Sequence, residues 1–329
     1  MSIGISALSA YVPERVVTND ELAERVDTSD EWIFSHTGIR ERRIAEPGTA
    51  ASDLATEAAQ RVLEARGVTA DELDLIIVAT SSPDYSPFPA TASIVQEKLG
   101  AADIGAFDLQ AGCTGFAYGL ETAASFVAGG RHERVLVIGS EVLTAITNWN
   151  DRNTCVLFGD GAGAVIVEAE AEGVPVHAVE DSWLRSKGSG AQALIRRAGG
   201  SREPFDPQKH TEADFAIAMN GKEVYLFAVD ALVQCVGALS ERAGIAVQEV
   251  DWIVPHQANA RIIEAAAKRL KLPVERFFMN MDRFANTSAA SIPIALDEMQ
   301  SMDLLKPGHR VITIGFGAGL TYGGNMIRW

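Results

Sequence analysis

The spacing of apolar and polar residues predicts helices and strands that alternate along the chain. Capping residues at Thr18-Asn19-Asp20 and Thr28-Ser29-Asp30 predict two helix starts, the first helix running through Val26. Apolar positions over residues 51–66 have helical spacing, and the buried-looking strand LDLIIVAT and the helix SIVQEKLG follow. This alternation is typical of an α/β fold with a mainly parallel sheet covered on both faces.

The chain also repeats itself at a constant offset. Residues 67–78 align with residues 244–255, and residues 134–139 align with residues 310–315, at offsets of 177 and 176 residues. Two pairs in the same order at the same offset indicate two similarly folded halves. We predict an N-terminal half at 1–174 and a C-terminal half at 175–329.

Composition narrows the classes of function. The 329 residues are 47% hydrophobic and 22% charged, which is typical of a compact globular chain. A formal net charge of −16 argues against nucleic acid or an anionic membrane as a general partner. The N-terminus resembles no export signal, and no uninterrupted apolar run reaches the roughly 18 residues of a membrane span. We therefore expect a cytoplasmic protein.

Cys113 is the first candidate for chemistry. It lies among small residues in AFDLQAGCTGFAYGL, where a strand is expected to become a helix. Unpaired N–H groups and the positive end of the helix dipole favour a thiolate there. On this stretch alone, a buried core cysteine is the simpler interpretation. Cys155 and Cys235 are widely separated from it, with no metal-binding spacing, which favours a reduced protein without a metal site.

The internal repeat makes two further residues candidates for the active site. His256 follows an apolar strand whose counterpart is IIVAT, and Asn286 precedes a helix of small residues. Each alone is explained as an ordinary polar residue or helix cap. The repeat aligns Cys113 with Ala289, so the two halves should bring these helix starts together. A nucleophile, an imidazole and an amide donor would then share one site, and the backbone of 315–319 could bind an oxyanion.

Two other stretches need separate interpretation. The glycine run FGDGAGAVIV is followed by a predicted strand, so it does not fit a dinucleotide fingerprint and indicates close packing instead. Trp32 precedes a basic run at residues 36–43. That pairing could hold a flat, phosphate-bearing ligand, but a solvated basic loop is the simpler explanation.

Taken together, these motifs resemble β-ketoacyl-acyl-carrier-protein synthase III of the thiolase superfamily. The resemblance spans AGCTGF, VPHQAN, NTSAAS, FGDGAGAVIV and the terminal GFGAGLTYG, and so covers nearly the whole chain. It implies a five-layered αβαβα fold and a homodimer. It also implies condensation of an acyl-CoA primer, expected to be acetyl-CoA, with malonyl-ACP to begin fatty acid synthesis. Both are substrates, and no cofactor or metal is implied.

The same resemblance implies roles for individual residues. Cys113 would accept the acyl group, and neutral His256 and Asn286 would donate to the malonyl thioester carbonyl as carbon dioxide leaves. The backbone N–H groups of Cys113 and Ala318, where the family usually has glycine, would form the oxyanion hole.

Binding roles follow from the resemblance as well. Trp32 and Arg152 would sandwich the adenine of CoA, with His36 at a position that is arginine in the family. The resemblance also implies that Phe88 lies in a loop that closes the acyl pocket of the partner subunit. A net charge of −16 requires a basic patch for the acidic carrier protein. We expect that patch on the helix after His256, formed by Arg261, Lys268, Arg269 and Lys271.

Three alternatives stay open at this point. A relative in secondary metabolism could use another primer or acceptor. A cysteine hydrolase uses the same residue types, since acyl transfer to water also needs a thiolate, a base and an orienting amide. A scaffold that binds acyl carriers without catalysis would not need all three polar residues.

Overall fold

The computed structural model describes residues 2–329, which contain thirteen strands and nine α-helices besides short 3-10 turns. The strands are β1 (Ile3–Tyr11), β2 (Val16–Thr18), β3 (Glu41–Arg43), β4 (Leu75–Ala79), β5 (Gly105–Leu109), β6 (Arg134–Val142), β7 (Asp160–Ala169), β8 (His177–Ser186), β9 (Leu194–Ile195), β10 (Ala218–Met219), β11 (Trp252–Pro255), β12 (Arg310–Gly317) and β13 (Thr321–Arg328). The helices are α1 (Asn19–Ala23), α2 (Asp30–Thr37), α3 (Ala51–Arg66), α4 (Thr91–Leu99), α5 (Gly115–Ala128), α6 (Gly221–Arg242), α7 (Ala260–Leu270), α8 (Met281–Phe284) and α9 (Ser291–Ser301).

The predicted helix starts are confirmed by their caps. Thr18 and Glu21 form a capping box at α1, and the Ser29 hydroxyl accepts a 3.1 Å hydrogen bond from the Trp32 N–H at α2. Helix α3 has the bounds expected from its apolar spacing. Helix α1 is shorter than predicted: it ends at Ala23, and the chain leaves it through a turn in which the Leu22 carbonyl accepts from two following N–H groups.

The two halves of the chain build two matching parts of one sheet. The strand order is β11-β12-β13-β8-β1-β7-β6-β4-β5, and β1 and β8 join the parts through only two residue pairs. Going outward from that junction, β1, β7, β6 and β4 correspond to β8, β13, β12 and β11. The repeat inferred from sequence therefore matches a repeat of structure. Position 174 lies between β7 and β8, and we propose 1–174 and 175–329 as the limits of the halves.

The sheet is mixed, so the prediction of a mainly parallel sheet is wrong. Strand β4 is parallel to both β5 and β6, and β11 is parallel to β12. Strand β7 is antiparallel to β6 and to β1, and β13 is antiparallel to β12 and to β8. Three residues join β12 to β13, too few for the crossover that a parallel pair needs.

Three apolar cores alternate with the sheet, which confirms the five-layered architecture. On β4, Leu75 and Ile77 face the central core of helices α5 and α9, whereas Ile76 and Val78 face the outer core under α3 and α4. The third core joins α6 and α7 to β12. Helix α6 alone among the described residues is long and apolar enough to span a membrane, but half of its apolar segment is buried against the sheet, as in a core helix.

The FGDGAGAVIV run packs closely instead of opening a helix. It forms the start of β7, where a Cβ on Gly163 would lie 2.6 Å from the Pro293 Cβ on helix α9. Gly139 on β6 approaches the same helix start, with the Ala289 carbonyl oxygen 2.4 Å from its ideal Cβ position. These glycines let the central helices lie directly on the sheet, as the sequence predicted.

Substitution of Gly163 by alanine tests this packing. The added methyl group must displace Pro293, and we expect the free energy of unfolding to fall by about 1–3 kcal/mol. Gly188→Ala is the matched control, since nothing lies within 4 Å of a Cβ there. Chemical denaturation of both variants measures the difference. Equal stability would show that β7 and α9 are not in close contact.

Candidate active site

Cys113 lies in a 3-10 turn that links strand β5 to helix α5. Gly112 enters the turn with φ of +54°, a backbone conformation that favours glycine. On the other side, strand β12 passes so close that a Cβ on Gly317 would lie 2.8 Å from the Cys113 Sγ. The N–H groups of Cys113 and Ala318 both point at the sulfur. The predicted oxyanion-hole donors therefore surround the thiol.

The start of helix α9 meets this turn, as the repeat predicted. Residues 288–290 form the equivalent 3-10 turn, and a Cβ on Gly115 would lie 3.4 Å from the Ala289 Cβ. His256 follows β11 directly, and its N–H donates to the Ile314 carbonyl at 2.7 Å. The two halves thus bring Cys113, His256 and Asn286 to the centre of the molecule.

The resting thiol differs from the sequence-based expectation. Burial raises the pKa of Cys113 to about 12, and the N–H groups that point at the sulfur lower it by less. The prediction that the helix start holds a resting thiolate is therefore wrong for the ligand-free protein. The donors at the helix start act instead on negative charge as it develops during reaction.

His256 is held as a neutral ring. It is 1% exposed, and burial lowers its pKa to about 3. Its Nδ1 lies 2.7 Å from the Ser291 hydroxyl oxygen, and the edge of the Phe316 ring packs against it at a centroid distance of 5.3 Å. These contacts fix the plane of the imidazole.

Asn286 is oriented by two backbone groups. Its own N–H donates to the Leu157 carbonyl at 2.9 Å, and its side-chain Oδ1 accepts from the Ser288 N–H at 2.9 Å. Since Ser288 supplies a donor, the amide oxygen must face it. The NH₂ group of Asn286 is then turned the other way, toward the cavity that the residue lines.

Two cavities meet at Cys113. One, of about 230 Å³, runs from Trp32 and His36 at the surface to Cys113, His256 and Asn286. The other, of about 360 Å³, is bounded mostly by apolar residues. They include Leu143, Ile146, Leu194, Ile195 and Ile217. The thiol therefore has one path toward the surface and one apolar space beside it.

The mouth of the first cavity carries an aromatic stack. The Arg152 guanidinium carbon lies 4.5 Å from the centroid of the Trp32 ring, and the His36 ring stacks on Trp32 at 4.4 Å. A planar ligand between Trp32 and Arg152 needs roughly 7 Å, twice the van der Waals contact distance. The structure brings these two residues together, but Arg152 must move away before a ring can enter.

The other residues singled out in the sequence lie outside both cavities. Phe88 is 79% exposed, next to Tyr85 at 60%, on the loop between β4 and α4. Arg261 and Lys268 are exposed on α7, and Lys271 is exposed at the residue after its end.

Two contacts weaken the basic patch on α7. Arg269 forms a salt bridge with Asp230 of α6. Glu264, also exposed, lies one helical turn from both Arg261 and Lys268. The cationic surface is therefore smaller than the sequence suggested.

Sequence reasoning missed a buried carboxylate beside the cysteine. Glu141 accepts hydrogen bonds from the Ser81 N–H at 3.0 Å and the Ser82 hydroxyl at 2.6 Å, and it lies close to Ser288. Burial raises its pKa. Ser288 also lies close to the Cys113 thiol, although its own hydroxyl makes no hydrogen bond within the described residues. Only the meeting of β6, the loop after β4 and the 288–290 turn reveals this cluster, so no sequence signal could have found it.

No group of three histidine, cysteine or acidic side chains within residues 2–329 is placed to hold a metal ion. The three cysteines are unpaired. The absence of a required cofactor stays a prediction.

A central cysteine at a helix start, with a histidine and an amide beside it in a five-layered fold, defines a condensing enzyme of the acyltransferase class. Two family models described as 3-oxoacyl-[acyl-carrier-protein] synthase III match residues 107–188 and, for its C-terminal part, residues 240–329. The chain belongs to the β-ketoacyl-[acyl-carrier-protein] synthase III family.

Individual relatives agree over the full length. Proteins of that name from Caldanaerobacter subterraneus subsp. tengcongensis and Clostridium acetobutylicum are each 48% identical, over 100% of this chain and 98% and 99% of their own lengths. The crystal structure of 3-oxoacyl-[acyl-carrier-protein] synthase III from Aquifex aeolicus superposes with a TM-score of 0.90 at 40% identity. That match covers 99% of this chain and all of that one.

The raised pKa of Cys113 predicts how its alkylation depends on pH. At pH values below the pKa of a thiol, its thiolate fraction grows about tenfold per pH unit. The rate at which iodoacetamide carbamidomethylates Cys113 should therefore keep rising from pH 6 to pH 9. Mass analysis of the Cys113 peptide gives this rate, and buried Cys155 and Cys235 should stay unlabelled in the folded protein. A plateau below pH 8 would restore the resting thiolate expected from the sequence.

Proposed function

We propose that this enzyme joins an acyl-CoA primer to malonyl-ACP through an acyl-enzyme at Cys113. The observation that carries the proposal is the position of Cys113 between two cavities, one of which also holds His256 and Asn286. The reaction class is that of the family: a decarboxylative condensation that gives a 3-oxoacyl-ACP and initiates fatty acid synthesis.

In the first step, the Cys113 sulfur attacks the thioester carbonyl of acyl-CoA. The carbon–sulfur bond to CoA breaks, a thioester to Cys113 forms, and the thiol proton ends on the CoA sulfur. The N–H groups of Cys113 and Ala318 stabilise the oxyanion between these events. The acyl chain fits the apolar cavity, while Trp32 and His36 line the mouth of the other, where Arg152 moves aside to admit the nucleotide end of CoA.

In the second step, malonyl-ACP enters the cavity that CoA has left. Loss of carbon dioxide places negative charge on the thioester oxygen, which Asn286 and His256 stabilise by hydrogen bonds. The carbanion attacks the acyl carbonyl, and the carbon–sulfur bond to Cys113 breaks. An amide is no base at neutral pH, so Asn286 acts as a donor through its NH₂ group.

Partners and location follow from the same proposal. The acidic carrier protein docks on Arg261 and Lys268 of α7 and on Lys271 just after it, with Arg269 contributing when its ion pair with Asp230 opens. The exposed aromatic rings of Phe88 and Tyr85 form part of a homodimer contact, in which Phe88 closes the acyl cavity of the second subunit. The enzyme works in the cytoplasm without a metal or organic cofactor.

A mass measurement tests the first step. Incubation with acetyl-CoA should add one acetyl group to the protein, because one nucleophile lies between the cavities, and Cys113→Ala should abolish the addition. Peptide mapping locates the group. Acetylation of Cys155 or Cys235 instead would remove the basis for the mechanism.

A second test asks whether acyl transfer and decarboxylation depend on different residues. Acyl transfer uses donors near Cys113, whereas decarboxylation also needs Asn286 and His256. We expect Asn286→Ala and His256→Ala to keep acyl-enzyme formation and to lose decarboxylation by roughly 10²- to 10³-fold each, the effect of one oxyanion donor. Intact mass and carbon dioxide release, followed in parallel, separate the steps. Normal carbon dioxide release without acylation would reverse the assignment.

Charge reversal on α7 tests the carrier-protein surface. Arg261→Glu should raise KM for malonyl-ACP much more than KM for acyl-CoA, and the difference should shrink at high salt because exposed charges are screened. Arg131→Glu, which makes the same charge change in the exposed turn before β6, serves as control. Equal effects of the two substitutions would place docking elsewhere.

A further inference from the structure

Ser291 has a hydrogen-bonding role that the mechanism above does not use. It is the first residue of helix α9 and is 2% exposed. Its hydroxyl oxygen lies 2.7 Å from His256 Nδ1, 2.8 Å from the Ser288 carbonyl oxygen and 3.3 Å from the Gln257 N–H. Of these partners, His256 lines the first cavity at Cys113 and Ser288 lines the second.

Counting protons assigns the direction of each bond. A carbonyl oxygen only accepts and a backbone N–H only donates, while a hydroxyl has one proton to give. The Ser291 hydroxyl gives that proton to Ser288 and accepts from Gln257. It has no second proton for the imidazole, so His256 Nδ1 must be the donor in the 2.7 Å contact.

The backbone of Ser288 makes this arrangement possible. Ser288 has φ of +47°, a left-handed conformation that is costly for a residue with a side chain. That turn presents its N–H to Asn286 Oδ1 and its carbonyl to the Ser291 hydroxyl. Ser288 therefore orients the amide through its N–H, and its backbone contacts the imidazole both directly and through Ser291.

We propose that Ser291 is a positioning residue that holds neutral His256 with its proton on Nδ1, so that Nε2 faces the cavity as a proton acceptor. A ring in this state cannot donate to an enolate. His256 therefore stabilises the enolate only after a proton binds Nε2, and the buried negative charge of the malonyl carboxylate favours that protonation.

The proton balance of the condensation agrees with this order. Acyl-Cys113 and malonyl-ACP, with its carboxylate ionised, give 3-oxoacyl-ACP, carbon dioxide and the Cys113 thiol. One proton is consumed, and it ends on the sulfur when the carbon–sulfur bond breaks. Nε2 of His256 is the group at which this proton enters the site. This kinetic part rests on the proposed function, whereas the placement of the resting proton does not.

Nitrogen NMR of protein labelled with ¹⁵N-histidine tests the resting state directly. The chain has six histidines, and His256→Gln identifies the signals of the ring in question. At pH 7 we expect the wild-type ring to be neutral with a protonated Nδ1 and a bare Nε2. Ser291→Ala should shift the population toward protonated Nε2. A wild-type ring protonated on Nε2 would overturn the proposal, whatever the enzyme's activity.

The rates of acyl-enzyme formation and of carbon dioxide release, measured separately, test whether Ser291 positions His256 for decarboxylation. Ser291→Ala should keep acyl-enzyme formation and slow carbon dioxide release at least tenfold, while Ser291→Thr, which retains the hydroxyl, should restore most of the rate. Ser240→Ala removes another buried helical hydroxyl, far from the site in α6, and controls for loss of packing. A Ser291→Ala enzyme that behaves like Ser240→Ala, or a threonine variant as slow as the alanine one, would refute the positioning role.

Discussion

The site depends on one constraint: the starts of two helices lie in close contact with two strands, at a point with no room for side chains. Gly317 lets β12 pass against the Cys113 sulfur, and Gly115 lets α5 approach Ala79 on β4, whose Cβ would lie 2.9 Å from an added Cβ. Because backbones replace side chains there, N–H groups reach the thiol directly.

Burial also determines the charge of the resting site. It favours the thiol at Cys113 and the uncharged ring at His256, so the ligand-free site holds a neutral pair instead of a thiolate and an imidazolium. Charge then appears only with substrate, first on an oxyanion and later on an enolate. The backbone N–H groups beside the thiol and the NH₂ group of Asn286 are fixed in advance by the fold, so they act at those moments without reorganisation, which is the condition for strong transition-state stabilisation.

Local and repeated features were predictable from the sequence, and features of tertiary contact were not. The repeat predicted that the 288–290 turn lies opposite Cys113, since equal offsets imply equal topology. Capping residues predicted where helix α2 begins. The resting thiolate was a wrong prediction because a helix start can be recognised in sequence but its desolvation cannot. The roles of Ser291 and Glu141 could not be predicted, because both depend on contacts with residues distant in the chain. The pairing of Arg269 with Asp230 likewise depends on how α7 packs against α6.

The fate of a preformed acyl group tests the central claim most directly. Protein acetylated on Cys113 and freed of acetyl-CoA should, on addition of malonyl-ACP, lose its acetyl group with equimolar release of carbon dioxide and formation of one 3-oxoacyl-ACP. Mass spectrometry of protein and carrier follows all three in a single turnover. Release of the group as free acetate, without carbon dioxide, would contradict the account and identify a cysteine hydrolase instead.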